Sequence, residues 1–326
     1  MKKNKIWLLL ICWFLTTLSG CSPKEVTSQN NIVIGFSQSG TESSWRKAHT
    51  KSILDSLKKN NYQVIYRNGL MDQERQIQDI RSFIAYRVDL IVFTPLTEDG
   101  WEPVLKEAQR AGIDVMLVDR DIASASSDLY LSHIGPSFKA EGNRAGIYVN
   151  NYFKEQPDRE INVLELSGLT NASPTTLRSD GFREAIGREQ NITISQTVYG
   201  DYTRNKGKEV IRELITNNQL ATIDVLYSHN DEMTLGALDA LKDTDIQPGK
   251  DLIIVTIDGQ ENIIKELRAG NVNCVVECNP QAGYYVARAI ERRLDSDHKQ
   301  IPHEIYMPET VFSDQGDLDM IPTRNY

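Results

Sequence analysis

Planar amides, carboxylates, guanidiniums and aromatic rings follow one short apolar run after another along this 326-residue chain. Gln38 follows IVIGFS, with Trp45 and Arg46 at the start of the next helical pattern. Asp119 and Arg120 follow DVMLV, and Arg178 comes in the first turns after INVLEL. Asp201 and Tyr202 follow Ile192–Tyr199, Asn230 follows Asp224–Ser228, and Asp258 follows LIIVTI. This chemistry suits a neutral polyol. A hydroxyl donates and accepts, so Asp and Asn accept from it while Arg and Asn donate to it, more strongly where the partner is charged. Trp and Tyr offer large apolar faces to the C–H face of a sugar ring. Each residue alone has a plainer reading: Asp119–Arg120 as a surface ion pair, Trp45 as core, Arg178 as a solvated helix charge, Asn230 as a helix cap. Their recurrence at successive strand ends favours a site, because ligands of open α/β sheets bind at the carboxyl ends of strands.

No catalytic motif accompanies these residues. The chain has no GxSxG elbow and neither a GxxxxGK(S/T) phosphate loop nor a GxGxxG fingerprint. His49, His133, His229, His298 and His303 show no metal spacing such as HExxH. His229, beside Asn230 and Asp231, is the candidate base, with a strand-end histidine bonded to backbone as the plainer reading. Asp119 and Asp258 would need to stand about 5–9.5 Å apart to hydrolyse a glycoside. The motifs call for no catalytic group, no metal and no cofactor.

The elements that must position the candidates alternate regularly. Short apolar runs at 32–37, 63–67, 89–94 and 114–118 read as strands. Helical patterns lie between them: 43–60 with Trp45, His49, Ile53 and Leu57 in step, one from Asp72 carrying Ile77, Ile80 and Ile84, and 101–111 ending at Gly112. A connecting strand is expected at 130–134, and then the alternation starts again. Strands at 161–166, 192–199, 224–228, 252–257 and 272–277 interleave with helices near 138–154, after Ser173–Pro174, at 204–217, from Asn230 and before Gly270. A helix at 280–294 and a strand at 304–307 close the pattern. Such alternation means βαβ units, here an α/β fold of two doubly wound parallel-sheet lobes with a cleft between them.

The first twenty residues differ from the rest. Lys2, Lys3 and Lys5 precede an apolar run over Ile6–Leu15, and Leu18-Ser19-Gly20-Cys21 follows. The run is shorter than the about 20 apolar residues of a membrane span and reads as an export signal. LSGC resembles a bacterial lipoprotein box, which implies cleavage before Cys21, lipid attachment at its thiol, and a tether at 21–31. Loss of residues 1–20 leaves 33 basic against 45 acidic residues, a net charge of −12. So acidic a chain has no electrostatic reason to bind nucleic acid. Cys274 and Cys278, four residues apart on a strand, would lie about 13 Å apart, too far for a disulfide, and read as buried free thiols.

The segments GFSQSGTESSWRKA (35–48), GWEPVLKEAQRAGI (100–113), LVDR (117–120), GDYTRNKGKEV (200–210), HNDEMTLGA (229–237) and PGKDLIIVTIDG (248–259) resemble the periplasmic-binding-protein-like sugar-binding proteins of ABC importers, ribose and galactose type. The first two are similar to its furanose-binding branch. The resemblance implies a periplasmic binding protein-like I fold with a three-segment hinge. Its lobes would be 32–134 plus 279–307, and 135–278 plus 308–326. It implies ligand contacts at Gln38, Trp45, Arg46, Asp119, Arg120, Arg178, Tyr202, Asn230 and Asp258. Where ribose-binding members often place a Gln before the proline matching Pro280, this chain has Cys278 and Asn279. The expected protein is a monomeric, lipid-anchored, extracytoplasmic solute-binding protein. It would bind galactofuranose or a related furanose, hexose or pentose and deliver it to an ABC permease. A sensory protein presenting the sugar to a receptor histidine kinase would use the same site, and a secreted glycosidase is the reading from another class. DNA-binding repressors share this fold but begin with a helix-turn-helix.

Overall fold

The computed structural model describes residues 32–295 and 300–326. The expected signal segment, Cys21, the expected tether and His298 lie outside the described residues. The first half contains β1 (Val33–Gln38), α1 (Ser44–Lys59), β2 (Gln63–Asn68), α2 (Gln73–Tyr86), β3 (Leu90–Phe93), α3 (Glu102–Arg110), β4 (Asp114–Val118) and β5 (Ser132–Gly135). It is followed by α4 (Phe138–Phe153), β6 (Ile161–Ser167), α5 (Ser173–Ile186), β7 (Ile192–Tyr199), α6 (Arg204–Thr216), β8 (Val225–Ser228), α7 (Asp231–Leu241), β9 (Ile253–Asp258), α8 (Glu261–Arg268) and β10 (Cys274–Glu277). The chain ends with α9 (Gly283–Leu294), β11 (Glu304–Tyr306) and β12 (Val311–Ser313).

These strands form two six-stranded sheets, β11-β5-β4-β3-β1-β2 and β12-β10-β9-β8-β6-β7. Both halves are wound alike, and every pairing is parallel except β12 on β10. The chain crosses between sheets three times: after β5, after β10, and between β11 and β12. Central strands such as LIVF, VLYS and CVVE are buried throughout, as sheets covered by helices on both faces require. Edge strand β7 alternates instead, because one of its faces meets water. Each sheet is sandwiched by two apolar clusters, one per face. Ser43, Asp72, Thr203 and Asn230 cap their helices through side-chain oxygens that accept backbone N–H bonds.

Three local expectations need correction. The strand at 130–134 is β5, an internal strand paired with both β4 and β11, and no mere connection. Trp101 precedes its helix at the cap position, with Pro103 in the first turn. β12 is too short to show a period and was not expected; it exists because β10 offers it an antiparallel edge.

The tightest helix pair is α4 on α5. A Cβ on Gly142 would stand 2.0 Å from the Arg178 carbonyl oxygen, and one on Gly181 would stand 1.9 Å from that of Lys139. Only glycines let the two backbones touch, and this contact sets where α5 presents Arg178. Gly142→Ala should therefore cost about 1–3 kcal/mol, the usual range for overpacking. Urea denaturation measures it, and an unchanged midpoint would show that the helices can part freely.

Candidate functional site

The carboxyl ends of both sheets face one cavity, with about 30 Å³ open to the centre of a water molecule. From the first sheet's side, Ser43 caps α1 and brings Trp45 and Arg46 to its lip. Arg46 is buried; its Nε donates to Glu42 at 3.1 Å and its Nη1 to Asp119. Burial pushes the Asp119 and Glu42 carboxyls up, but the neighbouring guanidiniums outweigh it and hold both below their usual range. Asp119 follows β4 with φ +66°, and its carbonyl accepts from His133 Nε2 at 2.8 Å. Arg120 donates to the Leu96 carbonyl at 3.0 Å, and its guanidinium lies 5.3 Å from the Tyr202 ring centre. Burial and the nearby Arg46 charge lower its pKa.

From the second sheet's side, Arg178 Nε donates to Glu141 at 2.7 Å and Nη1 to the His229 carbonyl at 2.6 Å, while Nη2 stands 3.8 Å from Asp258. The Tyr202 ring lies against Gly168, where a Cβ would come within 1.9 Å of Cζ. Its hydroxyl pairs with Thr175 at 2.8 Å. Asn230 accepts from the Met233 N–H at 3.0 Å and donates to the Tyr202 carbonyl at 3.2 Å. It is thus a cap that also lines the cavity. Burial and the adjacent Asp231 push the Asp258 carboxyl well above its ordinary value. Asp231 itself is pushed up to about 7 by burial, against hydrogen bonds from Gln260 N, Thr256 and Gly259 N.

Polar bonds join the two sides. Gln260 accepts from Ser44 Oγ and, at 3.2 Å, from Trp45 N. Trp45 Nε1 donates to the Cys278 carbonyl at 2.6 Å, Glu98 N to the Asn171 carbonyl at 2.7 Å, and Asp121 N to Ser173 Oγ at 2.8 Å. Arg46, Arg120 and Arg178 face Glu42, Asp119 and Asp258, so the lining carries as many acidic as basic groups. Two atoms of lining residues, Arg120 Nε and Glu42 Oε2, are buried without a hydrogen-bond partner. An unmet buried polar group costs about 1–3 kcal/mol. One is a donor and the other an acceptor, and a hydroxyl-rich neutral molecule can satisfy both.

Trp45, Arg46, Asp119, Arg120, Arg178, Tyr202, Asn230 and Asp258 are all brought together at the cavity. Gln38 is not. Its amide donates to Thr50 at 3.0 Å and to His49 Nδ1 at 3.2 Å, beneath α1 and away from the lining. Burial pushes His49 down to about 4, so it is neutral and free to accept that bond. His229 also departs from expectation: its ring meets Glu165 at 3.1 Å and Ser167 at 3.4 Å, both side chains. Buried there, it cannot reach the cavity as a base. Cys274 and Cys278 are buried free thiols, and Cys278 joins the lining where Asn279 does not. Glu42, Ser43, Phe138 and Pro174 also line the cavity without having been singled out for it. Glu42 and Ser43 stood inside the quoted GFSQSGTESSWRKA segment, and Pro174 in the Ser173–Pro174 helix start. Phe138 carried no chemical signal.

The sequence profile of the periplasmic binding protein domain matches residues 34–298. The chain belongs to the periplasmic binding protein family. This binding protein is 38% identical over 262 residues to the galactofuranose-binding protein YtfQ of Escherichia coli (strain K12), covering 80% of this chain and 81% of that one. Two solved structures align over 87% of the chain and 92% of their own length. One is a Mycobacterium smegmatis protein in complex with β-D-fucofuranose, at TM-score 0.82 and 34% identity. The other is the binding component of the arabinose ABC transporter of Shewanella sp. ANA-3, bound to α- and β-L-arabinofuranose, at 0.81 and 36%. Among the described residues no helix is long and apolar enough to cross a membrane.

His133 gives the binding protein a pH dependence. Its Nδ1 meets Glu304 at 2.8 Å, tying Asp119 to the hinge strand β11. Burial pulls its pKa down, but the Glu304 bond, the Asp121 charge and the Asp119 carbonyl outweigh this and raise it. The folded protein thus holds this proton more tightly than the unfolded chain. The stability it contributes is whole below about pH 6.5 and is lost as pH rises through the higher folded value. In urea titrations, wild-type stability should fall relative to that of His133→Gln as pH rises above about 6.5. Parallel profiles would refute the assignment.

Proposed function

We propose that this binding protein captures a monosaccharide in furanose form, galactofuranose or a close relative, between its lobes and delivers it to an ABC permease. The observation that carries this reading is an unmet donor, Arg120 Nε, and an unmet acceptor, Glu42 Oε2, on residues that line one cavity. A polyol can meet both at once, because each hydroxyl donates and accepts. Trp45 and Tyr202 supply aromatic surface at the same cavity. The furanose ligands named for the related proteins support the ring form. The lobes are taken as 32–134 with 279–307, and 135–278 with 308–326. The protein acts as a monomer without turnover or cofactor, held at the outer face of the cell membrane by lipid on Cys21.

Binding works by a population shift, in which the sugar favours the closed arrangement. At one hundred times its dissociation constant a sugar should stabilise the protein by about 2.7 kcal/mol. A thermal-shift screen of pentoses and hexoses, including furanosides locked in the five-membered ring, identifies it. Asp119→Ala should remove about 2–5 kcal/mol of affinity, the usual loss when a buried charge pair is broken, and Arg178→Lys should weaken binding because the ammonium lacks the guanidinium's fixed fork of donors. The lysine keeps a positive charge opposite Glu141 and so spares the fold. Calorimetric titration reads the effect, and wild-type affinity in both variants would overturn the site.

A further inference from the structure

Glu141 and Glu309 lie where the three crossovers converge, and the sugar site uses neither directly. Glu141 sits in the first turn of α4, just past the first crossover, and Glu309 lies within the third, between β11 and β12. Cys278 opens the second crossover, and its Sγ and one oxygen of each carboxyl all lie within 4.8 Å of one another. Both carboxyls are cut off from water, with side-chain exposures of 0% and 1%.

Each glutamate commits one oxygen to an arginine. Glu141 Oε2 accepts from Arg178 Nε at 2.7 Å, and Glu309 Oε2 accepts from Arg144 Nη1 at 3.1 Å. The remaining oxygens, Oε1 of both residues, have no donor. Two carboxylates whose oxygens come within 4.8 Å in a dry place repel, and a single proton shared between them turns the repulsion into a hydrogen bond.

We propose that Glu309 is a positioning residue for sugar binding: by sharing one proton with Glu141 it leaves a single negative charge facing Arg178 and ties the third crossover to α4. This rests on the cleft being the sugar site. Burial and the Glu141 carboxyl push the Glu309 pKa up to about 10, against the pull of Arg144. The groups facing the pair are Arg144 on α4, Arg178 on α5, and the Cys278 thiol, which burial holds far above its ordinary value. Asp258 reaches the pair through Arg178. Above that pH the pair becomes two carboxylates, Glu141 and Glu309 are driven apart, and Arg178 loses its fixed place.

The sign follows from the raised value. The proton's contribution to stability is whole below about pH 4.5 and is lost as pH rises toward about 10. Glu309→Gln keeps the shape and supplies a permanent N–H to Glu141, whereas Glu309→Ala leaves Glu141 Oε1 without a donor.

The experiment measures thermal unfolding and the affinity for D-galactose and L-arabinose, from about pH 6 to about pH 10, for wild type and both variants. Wild-type unfolding temperature should fall relative to Glu309→Gln as pH rises, and its affinity should drop about twofold by about pH 10, where half of the pairs have lost the proton, while that of Glu309→Gln stays flat. Near neutral pH, Glu309→Ala should bind about tenfold more weakly than wild type, and the glutamine variant should restore binding. The infrared carboxylic-acid absorption of wild type at neutral pH should lose the intensity of one carboxyl in Glu309→Gln, with that of the raised Asp258 and Asp231 carboxyls remaining. Parallel pH profiles for wild type and Glu309→Gln, or a glutamine variant as impaired as the alanine one, would overturn the proposal. If wild type binds neither sugar, the unfolding profiles and the infrared band still decide whether the proton is shared. A diverging profile then places the fault in the choice of ligand, and a parallel one overturns the shared proton itself.

Discussion

The buried guanidinium of Arg178 imposes more on this structure than any other single group. It is cut off from water, so its donors must be met by protein. The Glu141 carboxylate and the His229 carbonyl meet two of them from different parts of the chain, and the Asp258 carboxyl stands 3.8 Å from Nη2. That requirement reaches outward. Glu141 can face Arg178 only because α4 and α5 touch backbone to backbone at Gly142 and Gly181. The His229 carbonyl is in place because the His229 ring is anchored on Glu165. Hydrogen bonds from His229, Ser179 and Thr197 overcome the upward push of burial and bring Glu165 down to about 2, so a neutral, burial-lowered His229 donates to a carboxylate.

The first sheet solves the same problem with different parts. Arg46 is buried between Glu42 and Asp119, and the Asp119 backbone is held in a left-handed turn by His133. Both sides of the cavity therefore present arginine and carboxyl groups already fixed by other residues. Preorganised groups give up little freedom when a ligand arrives. Their charges are already compensated, so what remains to be offered is hydrogen-bonding capacity, which favours hydroxyls over ions.

The winding of the chain was legible from the alternation of apolar runs and helical patterns, because buried parallel strands leave continuous apolar segments that sequence shows directly. The strand-end chemistry was legible for the same reason, since the fold converts position along the chain into position around the cleft. Gln38 was misplaced because the strand-end rule fixes a residue's neighbourhood and not the direction of its side chain. Here His49 and Thr50 on α1 take up the amide. Trp45 shows the opposite limit. Its helical spacing marked it as core, and its ring does pack in an apolar cluster, but in that of the second sheet, while its indole N–H holds the Cys278 carbonyl. Gln260 and Glu309 left no trace in the sequence. Their roles depend on contacts between segments 216 and 168 residues away from them in the chain, and no local pattern encodes such a meeting.

The bonds across the cleft set how strongly a ligand must act. Gln260 with Ser44 and Trp45, the Trp45 indole with the Cys278 carbonyl, Glu98 with Asn171, and Asp121 with Ser173 are polar contacts between the two sides. Each contributes about 0.5–1.5 kcal/mol net, because water would satisfy the same groups in an opened form. Against them stand the unmet Arg120 and Glu42 atoms, which disfavour closure without a partner. Opposing terms of this size leave the two arrangements within a few kcal/mol. Moving such an equilibrium from 1:99 to 99:1 takes about 5.5 kcal/mol of differential binding. A sugar whose hydroxyls reach Asp119 on one side and Asn230 and Asp258 on the other makes those bonds together only when the lobes are closed. In the proposed mechanism, that bridging geometry would itself supply the difference in affinity that drives closure.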